Sequence, residues 1–303
     1  MATHPRTDGD DCGSMLAFSI ALKKMGKQTT MAAKFGMPAA LNFLPNHQEV
    51  LDAPTFPVDK TNYDAVILFG CSNKPRVGFE QIKQSSLPIL NIDHHPDNEL
   101  FGQVNLVDMS KSSVAELVYD FFNATGIEID NKMAKCLLTG MFTDTGSFMH
   151  SNTMPSTLIA AGQLMKHGAR IDQIYEATYK NKDLAALKAW AKAIDNTRVI
   201  KNGKIAISVI TKEDFDQLGK VPENAFDGFV ETLNGIPGTK FALFLRQEGA
   251  SVKGSLRSEE AKNMDVSFVA HLMGGGGHKL SSGFEIQGKI VKDPETGWRI
   301  QTT

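Results

Sequence analysis

Two short apolar runs constrain the fold of this chain more than any other feature of its sequence. The run over 63–70 ends at a glycine, and the run over 87–92 ends at Asp93. Because the apolar residues are continuous rather than alternating, we expect strands buried on both faces, as in a parallel sheet. Helical patterns follow at 112–124, 131–142, 156–167 and 171–180. This alternation predicts an α/β fold for the first half of the chain.

The second half of the chain has a different pattern. Residues 183–196 contain neither Gly nor Pro, which predicts a connecting helix. Asn202-Gly203 then indicates a hairpin, and further elements follow as strands at 205–210, 240–246 and 252–257 and a helix near 265–272. The predicted organisation is a parallel-sheet domain over 1–182, a connecting helix over 183–197, and a smaller α+β domain over 198–303.

Charge and composition exclude several functional classes. The 32 Lys and Arg against 34 Asp and Glu give a formal net charge of −2, so the chain lacks the global basic field that holds long duplex nucleic acid. No apolar run approaches the roughly 20 residues that span a bilayer, and no signal-peptide pattern is present, so we expect a cytoplasmic protein. The three scattered cysteines, without CxxC spacing, indicate neither a disulfide framework nor a thiolate zinc site.

The first cluster of residues with chemical potential lies at the N-terminus, where His4, Asp8 and Asp10 precede a predicted helix. Alternate carboxylates on an extended loop point to opposite sides, so Asp8 and Asp10 can each hold a different cation, with His4 joining one of them. The alternative interpretation is an acidic N-terminal turn.

Two further clusters follow elements of the predicted α/β domain. Asp93, His94 and His95 stand at the carboxyl end of an apolar strand, where ligands bind in open parallel sheets. Asp144 follows an apolar helix, and its carboxylate can complete a metal shell. Taken singly, adjacent histidines are often surface residues, and an Asp before a glycine is often an ordinary helix cap.

The last cluster combines Arg257 and Ser258 with Gly274–Gly277 and His278. Consecutive glycines leave backbone N–H groups unobstructed and allow close approach by phosphate, and Arg257 and His278 add charged or hydrogen-bonding partners. The alternative interpretation of the glycines is a flexible loop.

Together, these motifs resemble the DHH phosphoesterase superfamily, named for the Asp-His-His at 93–95, with a DHH-associated domain that carries the Gly274–His278 loop. The resemblance covers essentially the whole chain, and the motifs occur in the family's order. It implies a two-metal hydrolase that prefers Mn²⁺, with Mg²⁺ or Co²⁺ as alternatives. His4 and Asp8 would hold one metal, and Asp10, His94 and Asp144 the other. Asp93 would orient His94, and His95 would lie near the scissile phosphate.

The resemblance also implies a substrate class. The chain is most similar to a subgroup that hydrolyses nanoRNA, 5′-phosphorylated dinucleotides such as pApA or pGpG, and the nucleotide pAp. The partners would be short single-stranded oligonucleotides or nucleotides, and the resemblance also allows a second copy of the chain in a homodimer. Substrate would be bound by the residues of the last cluster: Arg257, Ser258, Gly274, Gly275, Gly276, Gly277 and His278.

One departure from the family concerns the metal site. Members place an Asp, whose carboxylate bridges both metals, where this chain has Gly70. Asp11, Cys71 and Asn73 are candidates to compensate, and we expect Gly70→Asp to raise Mn²⁺ affinity and turnover. The alternative hypothesis is a non-catalytic nucleotide-binding relative, whereas a pyrophosphatase or exopolyphosphatase is disfavoured by the Gly274–His278 loop.

A second departure concerns the sheet. Family members carry an interior strand before the first motif, but only Met1-Ala2-Thr3 precedes His4. We therefore expect either a stub strand at these residues or a truncated reading frame.

Overall fold

The computed structural model describes residues 1–5, 7–52, 57–180, 184–222, 225–293 and 297–302. The chain divides into two compact units, Met1–Asn181 and Lys182–Thr303. The first is built on a parallel sheet and the second on a separate mixed sheet, which confirms the predicted α/β class. Across the described ranges, no helix combines the length and apolar character required to cross a membrane.

The first unit contains a six-stranded parallel sheet with the order β3-β2-β1-β4-β5-β6. Its strands are β1 (Ala2–Thr3), β2 (Met31–Ala32), β3 (Val50–Leu51), β4 (Val66–Phe69), β5 (Ile89–Asp93) and β6 (Val104–Val107). The two apolar runs form β4 and β5, which pair directly from Val66↔Ile89 to Phe69↔Ile92. The short β1 is the expected stub strand, and it pairs with β2 on one side and β4 on the other. The carboxyl ends of β1, β4 and β5 therefore meet at one edge of the sheet.

The helices of the first unit place two helix ends at that edge of the sheet. They are α1 (Gly9–Lys24), α2 (Glu80–Lys83), α3 (Val114–Thr125), α4 (Asn131–Asp144), α5 (Pro155–Lys166) and α6 (Ile171–Tyr175), and α6 continues as a π-helical turn over Glu176–Lys180. Helix α1 packs tightly against α4. The contact is so close that a Cβ on Gly13 would overlap the carbonyl oxygen of Cys136. A Cβ on Gly9 would likewise overlap Oγ1 of Thr143. The start of α1 is thus held against the end of α4, where Asp144 is the last residue.

The second unit contains a mixed sheet whose strands run in the order β11-β12-β10-β9-β8-β7, with β13 paired to β12. The strands are β7 (Arg198–Ile200), β8 (Ile205–Ile210), β9 (Phe241–Glu248), β10 (Ser251–Arg257), β11 (Gly276–His278), β12 (Ser281–Asp293) and β13 (Gly297–Thr302). The helices are α7 (Leu184–Asp195), α8 (Lys212–Leu218), α9 (Phe229–Asn234) and α10 (Val266–Leu272).

Two sequence predictions concern the start of this unit. The hairpin expected at Asn202-Gly203 joins the antiparallel strands β7 and β8, and both residues have positive φ. The segment assigned as a connecting helix forms α7, which packs into the core of the second unit through Ala186, Ala189 and Ala193. Its predicted first residue, Asp183, lies outside the described residues.

Candidate metal centre

The first turn of α1 presents three carboxylates from four consecutive residues. Asp8 is the N-cap, and its Oδ1 accepts hydrogen bonds from the backbone N–H groups of Asp10 at 2.9 Å and Asp11 at 3.2 Å. An aspartate in this position satisfies amides that have no partner within the helix. Asp10 and Asp11 are only 3% and 2% exposed. The fold therefore buries two adjacent carboxylates.

Asp10 is held by the start of α3. Its Oδ2 accepts from the backbone N–H of Val114 at 2.7 Å, and its Oδ1 accepts from that of Ala115 at 2.8 Å. Burial, followed by the nearby charges of Asp144 and Asp8, raises the pKa of Asp10 well above its usual value. The two amide hydrogen bonds fix the orientation of the carboxylate without neutralising it.

Asp93 lies at the end of β5, is fully buried, and contacts His95. Its Oδ1 is 2.6 Å from Nδ1 of His95 and accepts from the backbone N–H of His94 at 2.8 Å. Nδ2 of Asn98 donates to its Oδ2 at 2.5 Å and to the Cys71 carbonyl at 3.3 Å. Although burial opposes ionisation, the bonds from His95 and Asn98 outweigh it and lower the pKa of Asp93.

The expectation that Asp93 orients the ring of His94 is wrong. Nδ1 of His94 instead lies 3.2 Å from the carbonyl oxygen of Lys111. The reason is local hydrogen bonding: Oδ1 of Asp93 also accepts from the backbone N–H of His95 at 3.3 Å, which holds the His95 ring beside this carboxylate.

The two histidines consequently have opposite electrostatic behaviour. Burial and the adjacent His95 lower the pKa of His94 to about 4, so its ring is neutral at physiological pH. Burial also opposes the charged form of His95, but the hydrogen bond and charge of Asp93 outweigh it and raise the pKa of His95. A neutral imidazole suits a metal ligand, and a protonated one suits a hydrogen-bond donor to phosphate.

The side chains at this edge of the sheet form two groups, each with ligand atoms that lie within 4.8 Å of one another. The His4 group contains His4, Asp8 and Asp11, and the Asp10 group contains Asp10, His94 and Asp144. The structure thus brings together all five of the metal ligands proposed from the sequence and adds Asp11. Two adjacent residues of α1, Asp10 and Asp11, belong to different groups.

The donor atoms of both groups fit a divalent metal. Each group offers one imidazole nitrogen and two carboxylates, a mixture that suits Mn²⁺ and similar ions. Burial, followed by the charge of Asp8, raises the pKa of Asp11 to about 6 and that of Asp144 to about 8. These carboxylates are costly to ionise together unless a cation offsets their charge.

Of the three residues considered as replacements for a ligand at position 70, Asp11 alone has a ligand atom in either group. The Cys71 thiol lies 3.6 Å from the Phe69 carbonyl, and burial raises its pKa well above the usual value, so it stays protonated. Oδ1 of Asn73 accepts from the backbone N–H of Arg76 at 3.1 Å and caps a short turn.

In the second unit, Arg257 and Ser258 have protein partners. Nε of Arg257 donates to Oε1 of Glu231 at 2.7 Å. The Ser258 hydroxyl donates to the Lys240 carbonyl at 2.8 Å, and its backbone N–H donates to the Leu280 carbonyl at 2.9 Å. Glu231 was not identified from the sequence, which carries no signal for this pair.

The glycine segment belongs to regular structure, at the end of α10 and in β11. The expectation of unobstructed N–H groups is wrong for Gly274 and Gly275, which donate to the carbonyls of His271 at 3.0 Å and Ala270 at 2.8 Å as α10 ends. Gly276 and Gly277 lie in β11. Glycine is required here by packing, because a Cβ on Gly275 would overlap the carbonyl oxygen of Gly283 on β12.

The sheet nevertheless aligns the charged residues of this cluster. Arg257 of β10 and His278 of β11 both pair with Ser281 of β12, which lies between them. Residues directly opposite on antiparallel strands project from the same face. Arg257, Ser281 and His278 thus form one row across the sheet, and we call them the cross-strand row.

The sequence of this chain is similar to a known family and to two proteins of named activity. The model of the DHH family, N-terminal domain, matches residues 1–141. The chain is 30% identical over 289 residues to the bifunctional oligoribonuclease and PAP phosphatase NrnA of Thermus thermophilus, covering 95% of this chain and 84% of that protein. It is 27% identical to the protein of the same name from Bacillus subtilis, covering 97% and 92%.

Solved structures also share the fold. The crystal structure of an exopolyphosphatase-related protein from Bacteroides fragilis superposes with a TM-score of 0.84 at 24% identity, covering 93% of this chain and 85% of that one. A putative family II inorganic pyrophosphatase from Methanococcus jannaschii gives a TM-score of 0.52 at 16% identity, covering 98% and 97%. At these identities the likeness concerns the fold alone.

Proposed function

This chain belongs to the DHH family, and from that premise we propose that it is a metal-dependent phosphoesterase that hydrolyses short 5′-phosphorylated oligonucleotides and pAp. The observation that carries the proposal is the convergence of two imidazole–carboxylate groups at one edge of the parallel sheet. The similarity to proteins named oligoribonuclease and PAP phosphatase supports the substrate class.

Two Mn²⁺ ions are the cofactor that this donor set favours. His4, Asp8 and Asp11 would hold one cation, and Asp10, His94 and Asp144 would hold the other. When bound, such a pair supplies Lewis-acid stabilisation of a phosphate ester and lowers the pKa of water towards neutrality. Mg²⁺ or Co²⁺ can replace Mn²⁺ in a site of this composition.

The residues around the two groups position a proton donor. Asp93 holds Nδ1 of His95 and raises the pKa of the imidazole against the effect of burial, which favours a ring whose Nε2 can donate to a phosphate oxygen as negative charge develops. Asn98 holds the other oxygen of Asp93 and thereby fixes the carboxylate that orients the ring. Asp93 and Asn98 are positioning residues, and His95 is the catalytic group.

The cross-strand row of the second unit is proposed to bind the substrate's phosphate or sugar groups. Arg257 and His278 can donate to phosphate oxygens, and the Ser281 hydroxyl lies between them. The row offers a few local donors, and the net charge of −2 gives the chain no global basic field. This distribution favours a ligand with few phosphates over a long duplex.

The test is hydrolysis of a ladder of 5′-phosphorylated di- to pentanucleotides, a 20-mer and pAp, with Mn²⁺ and mononucleotide release measured by chromatography. We expect release from the short substrates and pAp, and little from the 20-mer. Asp144→Asn should lose this activity, and Asp172→Asn is its matched control, because Asp172 pairs with Arg170 on an exposed helix start. Binding of pApA without hydrolysis, under every divalent metal tested, would instead identify a non-catalytic nucleotide-binding relative.

A further inference from the structure

The space beside Gly70 is filled by a carboxylate from another element. A Cβ on Gly70 would overlap Oδ1 of Asp11 and would lie 2.9 Å from its Cγ. Gly70 directly follows β4, is buried, and donates its backbone N–H to the Ile92 carbonyl at 3.0 Å. The Asp11 side chain thus occupies the volume that a side chain on residue 70 would need.

Asp11 is firmly held in this position. Its backbone N–H is bonded to Oδ1 of the N-cap Asp8, and Oδ2 of its own carboxylate lies 2.7 Å from Nε2 of His4. The residue is 2% exposed, so its carboxylate has little room to swing away. A buried carboxylate beside other carboxylates destabilises a folded protein unless a positive partner compensates. The position of Asp11 therefore destabilises the metal-free fold, and the same carboxylate is well placed to bind a cation.

We propose that Asp11 is a cation ligand of the His4 group, and that Asp11 and Gly70 form an exchangeable pair in which one carboxylate fills one space. The inference rests on the proposed function and deepens it by explaining why the Asp11 ligand occurs together with glycine at residue 70. Its consequence is that residue 70 must be glycine while Asp11 is present.

The expectation that Gly70→Asp raises Mn²⁺ affinity therefore reverses. Asp tolerates positive φ better than most residues, so the φ of 65° at Gly70 is a minor obstacle. The main obstacle is the Asp11 carboxylate, which the new side chain would displace. Two like charges would compete for one position, and the substitution alone is expected to weaken metal binding.

The test measures the stoichiometry and Kd of Mn²⁺ by isothermal titration calorimetry, with the manganese EPR spectrum as a second readout. The wild type is expected to bind two Mn²⁺ per chain. Asp11→Asn, which keeps the shape of the side chain, and Gly70→Ala, which leaves Asp11 in the sequence, are each expected to weaken one site by about 100-fold. The double variant Asp11→Ala/Gly70→Asp is expected to recover to within about tenfold of wild type, whereas Asp11→Ala alone is not.

Gly126→Ala is the matched control for backbone strain. Gly126 ends α3 with φ of 69°, close to the 65° of Gly70, but a Cβ there would meet no atom within 4 Å. This variant should lose stability in a thermal melt and still bind two Mn²⁺ with unchanged Kd. Far-UV circular dichroism of every variant without metal establishes that each is folded.

The outcomes separate the two levels of the proposal. Two Mn²⁺ bound by Asp11→Asn with wild-type affinity would overturn the ligand assignment while leaving the phosphoesterase proposal intact. A double variant no better than Asp11→Ala would overturn the exchangeable pair. A wild-type chain that binds no Mn²⁺ would overturn the proposed function, and the ligand assignment with it.

Discussion

The two proposed binding regions differ in how their charges are balanced. In the first unit, burial raises the pKa of Asp10, Asp11 and Asp144, and the nearby charge of Asp8 raises the pKa of all three further. In the second unit, Arg257 pairs with Glu231, and Lys279 pairs with Glu260 at 3.0 Å. Negative charge is left in excess in one region and is compensated side chain by side chain in the other.

The difference in charge balance indicates different functions for the two regions. Uncompensated buried carboxylates are stable only when something cationic binds them, so the first region points to metal chemistry. A row of paired and partly exposed groups is already stable, and it can exchange a protein partner for a phosphate at modest cost. Substitutions in the first region should act on turnover, and those in the second on affinity.

The largest effect is expected from Asp144→Asn. The amide keeps the shape of the side chain but removes one charged donor from the Asp10 group. Because Lewis-acid stabilisation supplies several kcal/mol and each 1.36 kcal/mol is tenfold in rate, kcat should fall by about 10³-fold or more. Steady-state hydrolysis of pApA at saturating Mn²⁺ measures this. A loss below tenfold would remove Asp144 from the metal centre.

A smaller loss is expected from Asp93→Asn, because this carboxylate acts through His95. Without its charge the pKa of His95 should drop, so the limb of the kcat profile that requires protonated His95 should move to lower pH. The fall in kcat should be about 10- to 100-fold, as for other positioning carboxylates. An unchanged pH profile with lower kcat would indicate a merely structural role.

The second region is tested by His278→Ala. If the cross-strand row binds substrate, KM for pApA should rise by about tenfold while kcat stays constant. His167→Ala, at the exposed end of α5, is the matched histidine control. A fall in kcat with unchanged KM would place His278 in the chemistry and erase the contrast between the two regions.

The smallest expected effect is a change in the free energy of unfolding of the metal-free protein between pH 6.5 and 8. The folded-state pKa of Asp144 is about 8, above its unfolded value of 3.8, so the folded state holds an extra proton that it loses as pH rises. Stability attributable to this group should therefore fall across the window. The Met1 amino group, whose pKa burial lowers to about 6, acts in the opposite direction.

Comparison with Asp144→Asn cancels that opposing contribution, because both proteins carry the same amino terminus. Relative to the variant, the wild type should lose a few degrees in Tm between pH 6.5 and 8. Differential scanning calorimetry in chelator measures the difference, and addition of Mn²⁺ should abolish it. Parallel pH dependence of the two proteins would contradict the assignment.

Much of the fold follows from sequence pattern. The continuous apolar runs predicted β4 and β5 as buried neighbours, and the helical periodicity predicted α3, α4 and α5 close to their observed bounds. Three strands of the first sheet were not predicted: β2, β3 and β6. With two to four residues each, they are too short to show a period, and the sheet supplies their stability from both sides or from one neighbour.

The candidate site, like the fold, was predicted only in part from the sequence. The order of His4, Asp8, Asp10, Asp93, His94, His95 and Asp144 along the chain was sufficient to propose a metal centre and a family. Asn98 and Glu231 were not found, because an isolated polar residue carries no pattern. Their roles depend on which side chain lies within hydrogen-bond distance, since Asn98 donates to Asp93 and Glu231 accepts from Arg257 only in the folded chain.

The sequence by itself determined the layered α/β class, the family and the residue types available for metal and phosphate chemistry, because the continuous apolar runs and the order of the motifs can be recognised in the linear sequence. Only the tertiary structure decided that Asp93 contacts His95, that Gly274 and Gly275 end a helix with their N–H groups, and that Asp11 fills the space at Gly70. The physical reason is that hydrogen bonds and steric exclusion act over a few ångströms, between atoms whose proximity only the packed chain creates.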